Sequence, residues 1–336
     1  MAYTTIDDPS EYFNTLLYTG NETARALTFS GNSDLDVDWI WLKSRSATGN
    51  HHVYDTVRGT QKHLRPNLNS LEGSNSGTDG VTAFGSNGFT VGGNTGSNED
   101  GTTYVGWGWK KTADAGFDIV TATGNATAKT ISHSLSAVPH LMIAKEKSGS
   151  VNDWTIYHHK NTAAPETDSL ILNETNATAD QNTHWNDTAP TSSVFTVGTG
   201  SVVNRNSSTY VYYLFSEKQG FSNFGKYVGN NDVDGPFVYL GFKPAWVMVK
   251  RTSGTNSWCI FDNKRSVGSN PNNPRLYANN TNASEGASDE AFFDILSNGF
   301  KLRGAQPDIN AAATYVYIAF ADNPLVTSTG VPATAR

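Results

Sequence analysis

The sequence predicts an all-β protein made of three tandem β-sandwich modules with a jelly-roll-like topology, each about 105 residues long. Three observations favour this fold class. Apolar runs of four to seven residues are separated by Gly, Asn, Asp, Ser and Thr, as strands are separated by turns. Charged residues make up only 16% of the chain, unlike a helical protein rich in Glu, Lys and Ala. A set of landmarks also recurs three times at nearly constant spacing.

The repeat is clearest in a Thr-Tyr-Val motif that opens an apolar run near the end of each copy. Its tyrosines, Tyr104, Tyr210 and Tyr315, are 106 and 105 residues apart. Other landmarks keep this register: a Gly-Asn pair at Gly20, Gly124 and Gly229; an apolar run ending in Lys43, Lys145 and Lys250; an asparagine at Asn67, Asn173 and Asn279; and a phenylalanine at Phe89, Phe195 and Phe300. Landmarks that share one order and one spacing indicate an internal repeat.

This register divides the chain into five parts: a polar N-terminal arm (1–12), three β modules (13–110, 116–217 and 220–323) and a C-terminal tail (324–336). The segments that join the modules are so short that the modules are expected to pack against one another. A closed pseudo-threefold ring is predicted in preference to an open row, because a ring leaves no module end exposed.

Within a module, the apolar strands predict a sheet that is covered on both faces. Residues 315–320 are apolar at nearly every position, which is typical of the middle of a sandwich. Trp39, Leu141 and Trp246 are predicted to hold equivalent core positions. Residues 289–297 show the one pattern that indicates a short helix. A β-propeller is disfavoured, because blades usually run ~40–50 residues and no half-period of about 52 is visible.

Composition narrows the expected partners. The formal net charge is −7 and the pI is about 5.6, without a basic stripe, so neither nucleic acid nor an anionic membrane is expected. The first 13 residues lack the apolar core of a secretory signal peptide, and no apolar run reaches the ~20 residues of a membrane span. Cys259 is the single cysteine, so no intrachain disulfide can form. No cofactor is expected.

The histidine pairs that begin at His51 and His158 are predicted to lie in surface loops. Adjacent strand residues point to opposite faces, so such a pair cannot grip one metal ion without a bulge. No HExxH motif or Cys/His cluster accompanies either pair, and no metal site is predicted.

Two Asp/Arg couples are candidate ligand-binding residues. Asp55 with Arg58 and Asp262 with Arg265 occupy equivalent positions, each arginine three residues after its aspartate, and His158 takes the place of the aspartate in the middle copy. One interpretation is a ligand-binding couple repeated in two modules. The other is an ion pair that fixes a turn.

A polar loop of the middle copy holds the other candidates, His184, Trp185 and Asn186. A tryptophan beside amide and imidazole groups is a surface on which a sugar ring stacks, or else a hydrophobic plug over the end of a sheet. The acidic residues are scattered among turns, where Asp suits the backbone, instead of forming the carboxylate pair of a glycosidase. No catalytic residues are predicted, and the chain is not expected to be an enzyme.

Several segments carry a resemblance to a known family. They are residues 7–13 (Asp-Asp-Pro-Ser-Glu-Tyr-Phe), 17–21 (Leu-Tyr-Thr-Gly-Asn), 54–59 (Tyr-Asp-Thr-Val-Arg-Gly), 190–195 (Pro-Thr-Ser-Ser-Val-Phe), 235–239 (Gly-Pro-Phe-Val-Tyr) and 297–303 (Ser-Asn-Gly-Phe-Lys-Leu-Arg). With these motifs the chain resembles a family of marine bacteriophage virion structural and tail-fibre-like proteins. The likeness covers nearly the whole sequence and includes no catalytic motif.

The resemblance implies a component of the surface of a phage particle, assembled in the host cytoplasm. A tail-fibre or spike protein that binds the host surface, with a glycan as the receptor, is the first expectation. A capsid decoration or head-fibre protein is the alternative, and a glycan depolymerase is a third. The expected partners are other virion proteins of the tail or capsid and a host cell-surface glycan. Homo-oligomerisation is left open.

Overall fold

Antiparallel β-sheet makes up most of the regular structure in the computed structural model of the chain. The structure describes residues 3–75, 79–93, 95–266, 270–272, 274–284 and 292–332. The helices within these ranges are single turns of three or four residues. The prediction of an all-β chain is confirmed.

The strands follow the three sequence repeats, which we call the first (13–110), second (116–217) and third (220–323) repeat. In the first they are β1 (Phe13–Thr19), β2 (Arg25–Thr28), β3 (Trp39–Ser44), β4 (His52–Asp55), β5 (Lys62–His63), β6 (Gly73–Ser74), β7 (Val81–Gly85), β8 (Gly88–Val91) and β9 (Thr103–Trp109). In the second they are β10 (Phe117–Thr123), β11 (Lys129–Ser132), β12 (Leu141–Ser148), β13 (Thr155–His158), β14 (Asp168–Ile171), β15 (Ala179–Asp180), β16 (Val194–Val197) and β17 (Thr209–Phe215). In the third they are β18 (Ser222–Asn223), β19 (Lys226–Val228), β20 (Phe237–Tyr239), β21 (Phe242–Arg251), β22 (Cys259–Asp262), β23 (Leu276–Tyr277), β24 (Phe293–Leu296), β25 (Gly299–Leu302) and β26 (Thr314–Pro324). The helical turns are α1 (Thr95–Asn98), α2 (Asn182–Trp185), α3 (Ser201–Asn204), α4 (Pro307–Asn310) and the 3-10 turns Pro9–Glu11 and Pro165–Thr167.

Each repeat builds its largest sheet in the same strand order. The order is β1-β9-β3-β4 in the first repeat, β10-β17-β12-β13 followed by β14-β15 in the second, and β18-β26-β21-β22-β23 in the third. Strand register pairs Trp39 with Trp109, Leu141 with Phe215, and Trp246 with Phe320. These central sheets therefore place Trp39, Leu141 and Trp246 at equivalent positions, as the repeat register predicts.

A smaller sheet covers one face of each central sheet. These covering sheets are β2-β8-β7, β11-β16 and β20-β25-β24. In β3, Ile40 and Leu42 belong to the core beneath the covering sheet, while Trp39 and Trp41 belong to the core on the opposite face. This alternation follows from the two-residue period of a strand. Both faces of the sheet are thus buried, which explains why its strands are apolar at almost every position.

The opposite faces of the three central sheets share one core. This cluster contains buried residues of all three repeats. Each repeat contacts both others through aromatic side chains. The ring centroids of Trp39 and Tyr213 are 4.8 Å apart, those of Trp109 and Trp246 are 5.8 Å apart, and those of Phe215 and Phe320 are 5.7 Å apart. Aromatic contacts at these separations are attractive beyond the area they bury.

Hydrogen bonds between the repeats close on themselves. Equivalent backbone amides donate from Glu72 to Lys147 O at 3.1 Å, from Thr178 to Thr252 O at 2.9 Å, and from Ser284 to Arg45 O at 2.9 Å. The third of these bonds joins the last repeat to the first. Head-to-tail contacts that return to their origin form a ring and leave no unpaired end. The contacts close the three repeats into a cycle, and a pseudo-threefold rotation between them stays a prediction.

The helix predicted at residues 289–297 is wrong for the part that the structure describes. Residues 289–291 lie outside the described residues. Phe293–Leu296 forms strand β24, which pairs with Gly299–Leu302 in a hairpin. Phe293 and Ile295 are two positions apart, which is a strand period, and the turn at Ser297-Asn298 reverses the chain before a helical period can develop.

A buried asparagine holds each Gly-Asn landmark. The three asparagines are Asn98, Asn204 and Asn310, none of which is exposed to solvent. Their Oδ1 atoms accept hydrogen bonds from the amides of Asn21, Asn125 and Asn230 at 3.1, 3.0 and 3.0 Å. A Cβ on the preceding Gly20, Gly124 or Gly229 would approach a carbonyl oxygen at 2.0, 2.0 or 2.1 Å. Each landmark requires glycine because a backbone carbonyl of another segment lies too close for any side chain.

We therefore expect Gly124→Ala to lower the free energy of unfolding by about 2–3 kcal/mol, since the added methyl group must displace the Arg205 carbonyl. Urea unfolding measures the loss. The control is Gly85→Ala, whose Cβ would meet no atom closer than 3.5 Å and which should cost less than about 1 kcal/mol. Equal stability of the two variants would contradict the close approach.

Candidate functional site

The two Asp/Arg couples are buried ion pairs that also fix turns. Asp55 ends β4, and its carboxylate accepts hydrogen bonds from the Arg58 amide at 2.8 Å and from Arg58 Nε at 2.5 Å. Asp262 binds Arg265 in the same way, at 2.8 and 2.6 Å. All four side chains are unexposed. Each arginine also donates to a backbone carbonyl, that of Val53 or Ile260, at 3.0 or 2.9 Å.

Each aspartate also receives a hydrogen bond from a neighbouring repeat. The Tyr213 hydroxyl donates to Asp55 Oδ2 at 2.8 Å, and Trp107 Nε1 donates to Asp262 Oδ2 at 3.1 Å. These contacts favour the turn-fixing interpretation and add a role at the interface between repeats. Ligand binding at the couples stays a prediction.

The second repeat has neither the aspartate nor the arginine of this buried couple. His158 stands where the other repeats have aspartate, Asn161 stands where they have arginine, and the position equivalent to Trp107 and Tyr213 is Ile318. His158 Nε2 contacts the Tyr317 carbonyl oxygen at 3.1 Å. The donor and the carboxylate that accepts its hydrogen bond are therefore absent together, which avoids a buried carboxylate without a partner.

The prediction that the histidine pairs lie in surface loops is wrong for three of the four residues. His51 and His158 are unexposed, and His52 is 8% exposed. His51 Nδ1 accepts a hydrogen bond from Trp41 Nε1 at 2.8 Å, so its Nε2 carries the proton and donates to the Tyr277 carbonyl at 2.9 Å. Burial, with Lys43 nearby, holds the pKa of His51 well below its usual range. The imidazole is a neutral bridge between the first and third repeats.

Tryptophans take the place of His51 in the other two repeats. Trp154 Nε1 donates to the Arg65 carbonyl at 3.0 Å, and Trp258 Nε1 donates to the Ile171 carbonyl at 2.8 Å. The three contacts form another closed cycle around the repeats. No sequence motif indicated these residues, although each directly precedes a strand at the same place in the repeat register.

The loop of His184, Trp185 and Asn186 does not present an exposed tryptophan. Trp185 ends helix α2, is unexposed, and packs edge-on against Tyr157 with ring centroids 6.1 Å apart. His184 Nδ1 lies 2.9 Å from the Ser169 hydroxyl oxygen, and burial lowers the pKa of His184 to about 4. Asn186 is exposed and adopts a left-handed backbone conformation after the helix. The geometry favours the hydrophobic plug, and sugar binding at this loop stays a prediction.

A polar cavity of about 250 Å³ opens in the first repeat, at a place that no sequence motif indicated. Its walls include Asn50, His52, Tyr54, Arg65 and Glu99. His52 Nδ1 and Arg65 Nε are buried and have no hydrogen-bond partner among the described residues. Burial, together with the nearby His63 and Arg65 charges, lowers the pKa of His52 to about 3. The ring is therefore neutral near pH 7 and can offer one donor and one acceptor.

Across the residues that the structure describes, no group of three or more His, Cys, Asp and Glu side chains is placed to hold a metal ion. None of the helices in that part of the chain combines the length and the apolar character that crossing a membrane requires.

Comparison with protein families matches residues 8–324 to a family described as Domain of unknown function (DUF7483). The chain belongs to this family. The match runs through all three repeats and both joints, so the family unit is the whole set of repeats and not a single copy. A comparison with curated proteins found no match.

Proposed function

We propose that this chain is a non-enzymatic surface protein of a bacteriophage particle, a tail-fibre or spike component that binds a glycan on the host surface. The observation that carries the proposal is the closed ring of hydrogen bonds and the single aromatic core that joins all three repeats. Such a body would imitate within one chain the threefold symmetry of a trimeric shaft. The sequence resemblance to virion proteins supports the same function.

The fold that we propose for this function is three β-sandwich modules of jelly-roll-like topology, bounded as the sequence register gives them. A central sheet, a covering sheet and a buried core between the two support this proposal. The modules would stand on the particle surface with other virion proteins as partners, and their outer loops would face the host.

A capsid decoration or head-fibre protein is the second candidate. The pseudo-threefold ring favours it, because a threefold body also fits the threefold positions of a closed protein shell. Copy number separates the candidates: a few copies per particle indicate the tail, and hundreds indicate the capsid lattice. Quantitative gel analysis of purified particles measures this number.

Host binding is tested with the purified, fluorescently labelled full chain. We expect it to bind the bacteria that its phage infects and their extracted surface polysaccharide, and to compete with infection. Absence of both binding and competition would exclude host recognition. Turnover of the polysaccharide that disappears on replacing a single carboxylate would instead indicate a depolymerase.

A further inference from the structure

The polar cavity of the first repeat arises at a place that the other two repeats fill. Three positions in each repeat determine whether the cavity is open or filled. The first directly follows the landmark lysine. The second lies two residues before His51 or its equivalent tryptophan, and the third lies two residues before the buried asparagine. In chain order they are Ser44, Gly49 and Gly96 in the first repeat, Glu146, Asn152 and Val202 in the second, and Arg251, Asn256 and Asp308 in the third. Only the first repeat has small residues at all three.

In the second repeat a carboxylate occupies this place. The Glu146 side chain is unexposed and accepts hydrogen bonds from the Ser150 amide at 3.0 Å and from Asn152 Nδ2. Arg205 Nε lies 3.5 Å from its Oε1 atom. The fold therefore accommodates a buried carboxylate held by amide and guanidinium donors at this position.

In the third repeat larger side chains meet at the same place. Arg251 Nη1 donates to Asn256 Oδ1 at 3.4 Å, and Asn256 Nδ2 donates to Asp308 Oδ1 at 3.0 Å. In the first repeat Ser44, Gly49 and Gly96 line the cavity, and among the lining residues that the structure describes no side chain at these three positions replaces the groups of the other repeats.

The cavity walls combine a cation with groups suited to hydroxyls. Among the described residues, no carboxylate lies within ion-pair distance of the Arg65 guanidinium, although its Nε is buried. His52 Nδ1 is likewise buried without a partner. The Glu99 carboxylate and the Asn50 amide add acceptors and donors, and Tyr54 adds an aromatic wall. A volume of about 250 Å³ falls below the ~300–1,000 Å³ of pockets for drug-sized ligands.

We propose that this cavity binds one carboxylate-bearing sugar unit, a hexuronate residue, with Arg65 holding the carboxylate and Asn50, His52 and Glu99 holding the hydroxyls. The proposal rests on the glycan-binding function proposed above and names the class of sugar. A guanidinium matches a carboxylate with two parallel N–H donors, and these charge-assisted bonds are stronger than those to the uncharged hydroxyls of a neutral sugar. The Glu146 carboxylate in the second repeat shows that this place in the fold takes such a group.

The test is calorimetric titration of the full chain with glucuronate, galacturonate, glucose, acetate and inorganic phosphate. We expect one uronate to bind with a Kd of ~0.1–1 mM, and glucose at least tenfold more weakly. Arg65→Gln should weaken uronate binding at least tenfold. Arg303→Gln, an exposed arginine of the third repeat, is the matched control and should leave it unchanged.

The decisive variant fills the cavity as the second repeat does, with Ser44→Glu and Gly49→Asn together. A Cβ at Gly49 would meet only the Ser44 side chain, so the variant should fold, and its melting temperature checks this. It should lose uronate binding. Uronate binding that survives in the filled variant, no uronate binding by the unaltered chain, or equal affinity for acetate or phosphate would each overturn the proposal.

Cell binding separates this proposal from the function on which it rests. If the unaltered and the filled chains bind host cells equally, the cavity is not the receptor site, while host recognition stands. If the unaltered chain binds uronate in the cavity but binds no host cells, the site stands and the host-recognition function fails.

Discussion

Lowering the pH from 7 to about 4.5 should cost the folded chain several kcal/mol, roughly 2 kcal/mol for each fully buried neutral histidine. Burial lowers the pKa of His52 and His158 from 6.5 to about 3. It also lowers the pKa of His51 well below its usual range. In the unfolded chain these groups take up protons below pH 6.5. The unfolded state therefore binds more protons between pH 6.5 and about 3, and stability falls as pH falls through that window.

Urea unfolding at several pH values measures this effect as the slope of unfolding free energy against pH. The matched variant copies the second repeat, where Trp154 and Ile143 stand in place of His51 and Trp41. His51→Trp with Trp41→Ile keeps a donor for the Tyr277 carbonyl but removes one titrating group. We expect the slope to fall by about one proton. An unchanged slope would show that His51 does not stay neutral in the folded chain.

The repeat landmarks were predictable because they follow from local backbone demands. Gly124 is fixed by a carbonyl that would touch any Cβ, and Phe195 and Tyr210 follow it in sequence at spacings that are nearly the same in the other repeats. Continuous apolar runs, such as residues 315–320, likewise predicted sheets buried on both faces. The glycine landmark depends on contacts within one repeat, which the sequence of that repeat determines.

The burial of His51 was not predictable from its own repeat. Its partner, the Tyr277 carbonyl, belongs to the third repeat and comes close only when the ring closes. For Trp185 the sequence left a sugar-stacking surface and a hydrophobic plug both open, and the reason is different: its sequence neighbours are polar, yet one helical turn directs the indole inward against Tyr157. Local composition therefore misplaced His51 and left Trp185 undecided, because the environment of both side chains comes from segments distant in sequence.

The cavity was hidden for a third reason. It exists because Ser44, Gly49 and Gly96 are smaller than the residues at the equivalent positions of the other repeats. A sequence motif reports residues that are present and does not indicate missing side chains. An alignment of the three repeats at these positions could have indicated it. Its shape still depends on Arg65 and Glu99, which the fold brings to the same walls.

Asp55→Ala should lower the free energy of unfolding by about 3–5 kcal/mol, because it leaves the Arg58 guanidinium buried without its main partner. The Tyr213 hydroxyl loses its acceptor as well. If Asp55 served chiefly to bind a ligand, its loss would cost little stability. Urea unfolding therefore distinguishes the two interpretations of the Asp/Arg couple. Asp100→Ala, at an exposed turn, is the control and should stay within about 0.5 kcal/mol.

A triple variant tests whether the loss comes from the unpaired charge. Asp55→His, Arg58→Asn and Tyr213→Ile together copy the residues that the chain uses at His158, Asn161 and Ile318. Because no buried charge remains unpaired, we expect the triple variant to be at least about 2 kcal/mol more stable than Asp55→Ala. A triple variant no more stable than Asp55→Ala would mean that the interface depends on the aspartate itself and not on the balance of its buried partners.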